Sequence, residues 1–167
     1  MKKSQSAELE RLEIRMIAII EGIDRVGKTT LANKLHDEYG FEIYKSERQE
    51  TSSMNYGSIR GLIDFLKWYK PSRNIVIDRF HWTEAVYGLV ERNDSFTYDH
   101  IDEIESMMTE DFVLLYVRPT DIKWSSAQHG SDLSKHLKLF DALYEKTTMN
   151  KYVFTHLDLD KVKEVMQ

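Results

Sequence analysis

The chain has no cysteine, which excludes disulfides, thiolate catalysis and a Cys-based zinc site. That absence fits a reducing cytosol, so a cytoplasmic location is the expectation. With only two prolines and seven glycines in 167 residues, it is neither collagen-like nor low in complexity. Long apolar runs are missing too. A stretch such as Met16 to Ile20 falls far short of the ~20 residues a membrane span needs, and the opening MKKSQSAELERLE has charge without the apolar centre of a secretory signal. Positive charge is in deficit, with 23 lysines and arginines against 28 acids and a net charge of −5. A surface of that sign has no general attraction for nucleic acid or anionic lipid, so a polyanion must be held by a local site. A nucleic-acid partner is thereby disfavoured, and it would need a local basic groove.

What is present, 41% apolar and 31% charged residues, is the composition of a globular chain. Its length suits one domain burying roughly 70% of its unfolded surface. Residues 1–13 form a polar lead. From residue 14 to 167 apolar strands alternate with helical patterns, without internal repeats or a Pro-, Gly- or Ser-rich linker. Ile14 to Ile20 reads as a buried strand stopping at Glu21-Gly22. Lys28 to Tyr39 carries Leu31, Leu35 and Tyr39 at helical spacing, with Gly40 where a helix needs a left-handed cap. Phe41 to Tyr44 is a short second strand. Met54 to Tyr69, with Ile59, Leu62, Ile63 and Leu66 on one face, is a helix closed by Pro71. Asn74 to Ile77 is the third strand, and helical patterns follow in His81 to Glu91 and Tyr98 to Met108. Asp111 to Val117 is the fourth strand, Ser134 to Lys146 a helix, and Tyr152 to Leu157 the fifth strand before a short terminal helix. Parallel strands need long crossovers, so this alternation predicts an α/β fold: a three-layer architecture with a five-stranded parallel sheet flanked by helices.

Gly22 to Thr29 (GIDRVGKT) fits G-x-x-x-x-G-K-[ST] between a predicted strand and a predicted helix. The glycines Gly22 and Gly27 let the backbone curl so that amides from Val26 to Thr30 face an anion. Lys28 can reach the β- and γ-phosphates, and the Thr29 hydroxyl can ligate Mg²⁺. The cofactors implied are ATP and Mg²⁺. Asp78-Arg79 ends the third strand, on the edge of the sheet where ligands bind in open α/β folds. Its carboxylate can hold the metal or the metal's water, and its guanidinium can stabilise a transferring phosphoryl group.

EGIDRVGKTT (Glu21 to Thr30) together with VIDRF (Val76 to Phe80) resembles the thymidylate kinase family of nucleoside monophosphate kinases, within the wider deoxynucleoside kinase group of P-loop enzymes. The resemblance spans most of the chain from Met16 onward, and its two motifs are the specific part. It implies that Asp24 contacts the sugar 3′-hydroxyl of the acceptor, that Lys28 and Thr29 serve ATP and Mg²⁺, and that Arg79 binds phosphate at the transfer site. Thr83 and Tyr87 stand at the family's Ser and Tyr offsets, which brings Tyr87 to the acceptor. Glu47-Arg48 resembles the family's Glu-Arg after the second strand, whose arginine grips the acceptor's monophosphate with its planar fork. The same two residues also fit solvated loop charges. The family stacks the acceptor base on an aromatic of the preceding helix. Phe65, Trp68 and Tyr69 are all available, and Phe80, His81 and Trp82 pose the same choice.

Members of this family carry catalytic arginines either in the lid or inside the P-loop. The lid here, residues 123–138, offers Lys123, Lys135 and Lys138, and no arginine follows Arg118. Arg25 is therefore the candidate for neutralising charge during transfer, alongside Lys28, Arg79 and Asp78. The short lid, and Gly88 where the family has Gln after Tyr87, depart from the pattern and leave the acceptor open. Relatives often pair as homodimers. Of the six histidines, His81 alone follows the Asp-Arg motif, and a packing or orienting role suits it. Asp94, Asp99, Asp102, Glu103 and Glu105 read as a solvated acidic face.

The leading expectation is ATP- and Mg²⁺-dependent phosphoryl transfer to a small-molecule acceptor, a deoxynucleoside monophosphate such as dTMP or a related pyrimidine nucleotide. The alternatives are a deoxynucleoside kinase with a carboxylate base such as Glu47, a kinase of a nucleic-acid end or modified base, and a regulator that binds ATP without turnover.

Overall fold

A computed structural model describes residues 16–45, 56–68, 74–121, 123 and 130–167. Five parallel strands form one sheet in the order β2-β3-β1-β4-β5. The central strand β1 (Ile17–Glu21) is buried along its whole length, as expected for a strand with helices on both faces. Its neighbours β3 (Ile75–Asp78) and β4 (Phe112–Arg118) are nearly as buried, whereas the edge strands β2 (Glu42–Lys45) and β5 (Asn150–Thr155) are largely exposed.

Helix α1 (Lys28–Tyr39) lays Leu31, Ala32 and Leu35 on the sheet and ends at Gly40, whose φ of 73° no side chain adopts cheaply. The Gly40 and Phe41 amides close the end on the carbonyls of His36 and Leu35, at 3.0 and 3.2 Å. Helix α2 (Tyr56–Trp68) buries Ile59, Ile63 and Leu66, and α3 (His81–Glu91) buries Trp82, Ala85, Val86 and Tyr87. Helix α6 (Ser134–Lys146) packs on the same face as α3. Phe140 meets Tyr116 in a stack at 6.1 Å and Tyr87 edge-on at 6.5 Å. A 3₁₀ turn, Leu159–Lys161, and α7 (Val162–Val165) follow β5.

The α/β fold with its five-stranded parallel sheet is as the alternation predicted, and the other boundaries shift by a residue or two, while the expected strand start at Ile14 and helix ends at Met54 and Tyr69 lie outside the described residues. Two differences have physical causes. The helix expected over 98–108 is two short pieces, α4 (Phe96–Asp99) and α5 (Ile101–Ser106). The His100 ring donates from Nδ1 to the Phe96 carbonyl at 2.6 Å and stacks on the Phe96 ring at 4.2 Å, occupying the acceptor that a continuing helix would give to a backbone amide. The last strand ends at Thr155 and not at Leu157, because a turn closes there, with the Asp158 amide on the Thr155 carbonyl at 3.0 Å. Among the described residues no helix is long and apolar enough to cross a membrane.

Candidate active site

The loop between β1 and α1 is shaped by two glycines and anchored by two apolar side chains. Gly22 has φ of 150°, and a β-carbon there would sit 2.3 Å from the Val117 carbonyl oxygen, so no larger residue fits. Gly27, at φ 103°, caps α1 and gives its carbonyl to the Leu31 amide at 3.0 Å. Ile23 and Val26 are sunk in the core, whereas Arg25 is exposed on a left-handed backbone with φ of 58°.

Lys28 is buried, and its ammonium donates to the Ile23 carbonyl, spanning the concavity of its own loop. Burial first, and then the nearby Arg79 charge, lowers its pKa to about 8. Thr29, at the head of α1, donates from Oγ1 to Asp78 Oδ2 at 2.9 Å, which ties the loop to β3. Asp24 Oδ1 lies 3.4 Å from Arg79 Nη1. Residues Asp24 through Thr30 and Arg79 line one open pocket of about 530 Å³, within the usual range for a small-molecule site.

Asp78 Oδ1 is buried without a hydrogen-bond partner among the described residues, while Oδ2 holds Thr29. A hydroxyl and a carboxylate in contact, with one orphaned carboxylate oxygen, suit a hard cation that takes few protein oxygens and completes its shell with water and phosphate. Thr29 and Asp78 therefore fit Mg²⁺. No group of three or more His, Asp or Glu residues that could hold a metal occurs among the described residues.

The turn carrying Arg79 is built from β1. Arg79 has φ of 71°, and its amide donates to the Ile20 carbonyl at 3.0 Å. The fully buried Glu21 then accepts the amides of Phe80 (3.0 Å) and Trp82 (2.9 Å) on Oε1, and the amide (3.0 Å) and hydroxyl (2.6 Å) of Thr83 on Oε2. Burial pushes the Glu21 carboxyl up, while His81 and these donors pull the other way. Behind this layer Glu105 accepts from His81 Nε2 (3.0 Å), Trp82 Nε1 (2.8 Å) and Thr147 Oγ1 (2.7 Å). Burial alone would raise its carboxyl, yet the hydrogen bonds and the His81 charge hold it below the usual range. Glu105 thus departs from the solvated acidic face expected of it: it turns inward, while Asp94, Asp99, Asp102 and Glu103 remain exposed. His81 is fully buried between Glu105 and Glu21, with Nε2 3.0 Å from the first and Nδ1 3.8 Å from the second.

The structure brings Gly22, Asp24, Arg25, Val26, Gly27, Lys28, Thr29, Thr30, Asp78 and Arg79 together. Tyr87, expected at the acceptor, does not line the loop pocket. Its ring is buried behind the loop, against His136 at 4.7 Å, and its hydroxyl accepts the Asp24 amide at 3.0 Å. Phe65 and Trp68 are 48% and 89% exposed on α2 and do not line the loop pocket. Glu47, Arg48 and residues 124–129 of the lid lie outside the described residues, while Lys123, Lys135 and Lys138 are exposed. Sequence reasoning missed Glu21 and Glu105. The available signal for Glu21 was an ionisable side chain ending an otherwise apolar strand.

Sheet order, glycine-rich loop and flanking helices define a three-layer α/β fold with a five-stranded parallel sheet, shared with solved kinase structures. Among solved structures, the chain is similar to the YorR protein of Bacillus subtilis in complex with phosphorylated GDP, at 22% identity and TM-score 0.71 over 90% of this chain and 94% of that one. It is also similar to deoxyadenosine kinase from M. mycoides with bound dATP (18%, TM-score 0.56, 90% and 96% covered) and to thymidylate kinase from Ehrlichia chaffeensis (18%, TM-score 0.53, 91% and 98% covered). No family model matches the chain. No curated protein matches it in sequence.

Proposed function

We propose that this chain, acting as one domain over residues 14–167, is an ATP- and Mg²⁺-dependent kinase that phosphorylates a deoxynucleoside monophosphate, with dTMP or a related pyrimidine nucleotide as acceptor. The observation that carries this reading is the Asp24–Arg79 pair at 3.4 Å on the rim of a phosphate loop whose lysine is preformed and buried. An acceptor needs a hydroxyl-binding carboxylate and a phosphate-binding cation beside the donor phosphates, and this pair supplies both.

In the proposed reaction an oxygen of the acceptor's 5′-phosphate attacks the γ-phosphorus of ATP, the bond from that phosphorus to the bridging oxygen breaks, and ADP leaves without a covalent enzyme intermediate. The chain's part is positioning and charge. The loop amides and Lys28 hold the donor phosphates. Arg79 bridges toward the acceptor, and Arg25, exposed on the loop, faces the charge that builds on the transferring group. Bound at Thr29 and Asp78, Mg²⁺ would neutralise the phosphate oxygens. A guanine nucleotide acceptor is the second reading. It is favoured by the YorR complex, whose TM-score of 0.71 exceeds the 0.53 of the thymidylate kinase.

The test is transfer from γ-labelled ATP to the deoxynucleosides, their monophosphates, GMP and a 5′-hydroxyl oligonucleotide. Labelled dTDP supports the leading reading, and Arg48→Ala should then raise KM for the monophosphate without changing that for ATP. Labelled GDP or dGDP establishes the second. Transfer only to nucleosides or DNA overturns the acceptor site, and no transfer at all makes the chain a nucleotide-binding regulator.

A further inference from the structure

We infer that Glu21 is a positioning residue for phosphoryl transfer, acting at a distance from the substrate by locking the turn that aims Arg79 at Asp24. The inference rests on the kinase reading above and gives a role to the first residue of the Glu21 to Thr30 motif, to which the sequence alone assigns none.

Arg79 occupies a left-handed backbone conformation, with φ of 71°, that a side-chain-bearing residue adopts only at a cost. Both peptide groups flanking it are tied to the last two residues of β1: its own amide to Ile20, and the next amide, of Phe80, to the Glu21 carboxylate. The same carboxylate takes the amides of Trp82 and Thr83 at the head of α3, a helix whose own N-cap residue, Phe80, provides no side-chain cap. Glu21 therefore does for α3 what a local Ser or Asp would do. It acts from a different strand, and its charge complements the positive end of the helix. With 0% exposure it cannot touch a nucleotide, and among the described residues the pocket is lined by residues 24–30 and Arg79. Its influence must pass through the turn. A glutamine there offers one acceptor oxygen and one NH₂, and in either orientation the NH₂ would confront at least one backbone amide donor, of Phe80 and Trp82 or of Thr83.

A double-mutant cycle reads this directly. Glu21→Gln should lower kcat by about tenfold to a hundredfold with KM for ATP within about twofold, and in an Arg79→Ala background it should change kcat by less than about twofold. An equal loss in both backgrounds would make Glu21 a merely structural cap and overturn the inference. Thr83→Ala carries the same test if Glu21→Gln does not fold. It should cost about fivefold in kcat only while Arg79 is present, with Thr83→Ser restoring turnover, and normal turnover of Thr83→Ala would count against the proposal. Wild-type protein that transfers phosphate to no acceptor would sink the kinase reading. It would take the inference with it, whereas active wild-type protein in which the two losses multiply sinks the inference alone.

Discussion

Arg25 and Arg79 share a left-handed backbone, with φ of 58° and 71°, and the chain holds them by opposite means. Arg25 sits in a loop whose shape is written in eight consecutive residues, with glycines at the bends and Ile23 and Val26 as anchors on either side. Its own side chain is exposed. Arg79 sits in a turn whose shape depends on Glu21, a carboxylate 59 to 62 residues away in sequence from the amides it accepts, and its guanidinium leans on Asp24. The first arginine is placed by local sterics and the second by a distant buried charge. Mutations that disturb packing at the far side of the sheet should therefore reach Arg79 and leave Arg25 alone.

The largest expected effect comes from Lys28→Ala, which should cut transfer by at least about 10³-fold, because it removes the loop's own charge from the donor phosphates. Retained turnover would show that the locally written half of the site is dispensable. Next, Arg25→Ala should lower kcat by at least about a hundredfold while leaving ATP affinity and Tm nearly unchanged, since an exposed side chain supports little of the fold. Normal turnover would leave Arg79 as the working arginine and collapse the comparison to one member. Gly22→Ala should destabilise the protein by about 2–4 kcal/mol in chemical denaturation, given the 2.3 Å approach of its β-carbon to the Val117 carbonyl. A smaller loss would mean that β4 yields. Tyr87→Phe leaves the buried Asp24 amide without its acceptor and should cost about 1–3 kcal/mol.

The smallest effect is a pH dependence. Lys28, at about 8, lies below the ordinary 10.5 that the unfolded chain keeps. Between those values the unfolded state binds more protons, so this group's contribution to stability rises with pH across that window. Bound phosphates favour the ammonium, so nucleotide binding should take up protons near pH 8.5 and weaken as pH climbs further. Calorimetry in buffers of different ionisation enthalpy measures this, and no uptake would mean that the lysine is already fully charged.

The same contrast explains what was legible in advance. The loop, α1 and its Gly40 cap were readable because their causes lie within a few residues of their effects. The Asp78-Arg79 motif was readable as a pair of residue types. What fixes it was not, because nothing local marks Glu21 as the cap of a helix five elements on. Phe65 and Trp68 show another limit. Helical spacing places them beside the buried Ile59, Ile63 and Leu66, but spacing cannot say where the apolar face stops, and both rings fall on the solvent side of that edge. Tyr87 kept the offset that the resemblance implied, while its hydroxyl is engaged from behind the loop.

The two ends of the phosphate loop are held unequally. At its entrance Gly22 is wedged under the Val117 carbonyl and preceded by the clamped Glu21, whereas Gly27 at its exit faces only side-chain atoms, Leu159 Cδ1 at 3.5 Å and His156 Cβ at 4.0 Å from where a β-carbon would stand. A loop built this way answers substitution unevenly. A side chain at the entrance would have to push the β4 backbone aside, whereas one at the exit would press on movable side chains of the segment after β5 and pay mainly for its positive φ of 103°.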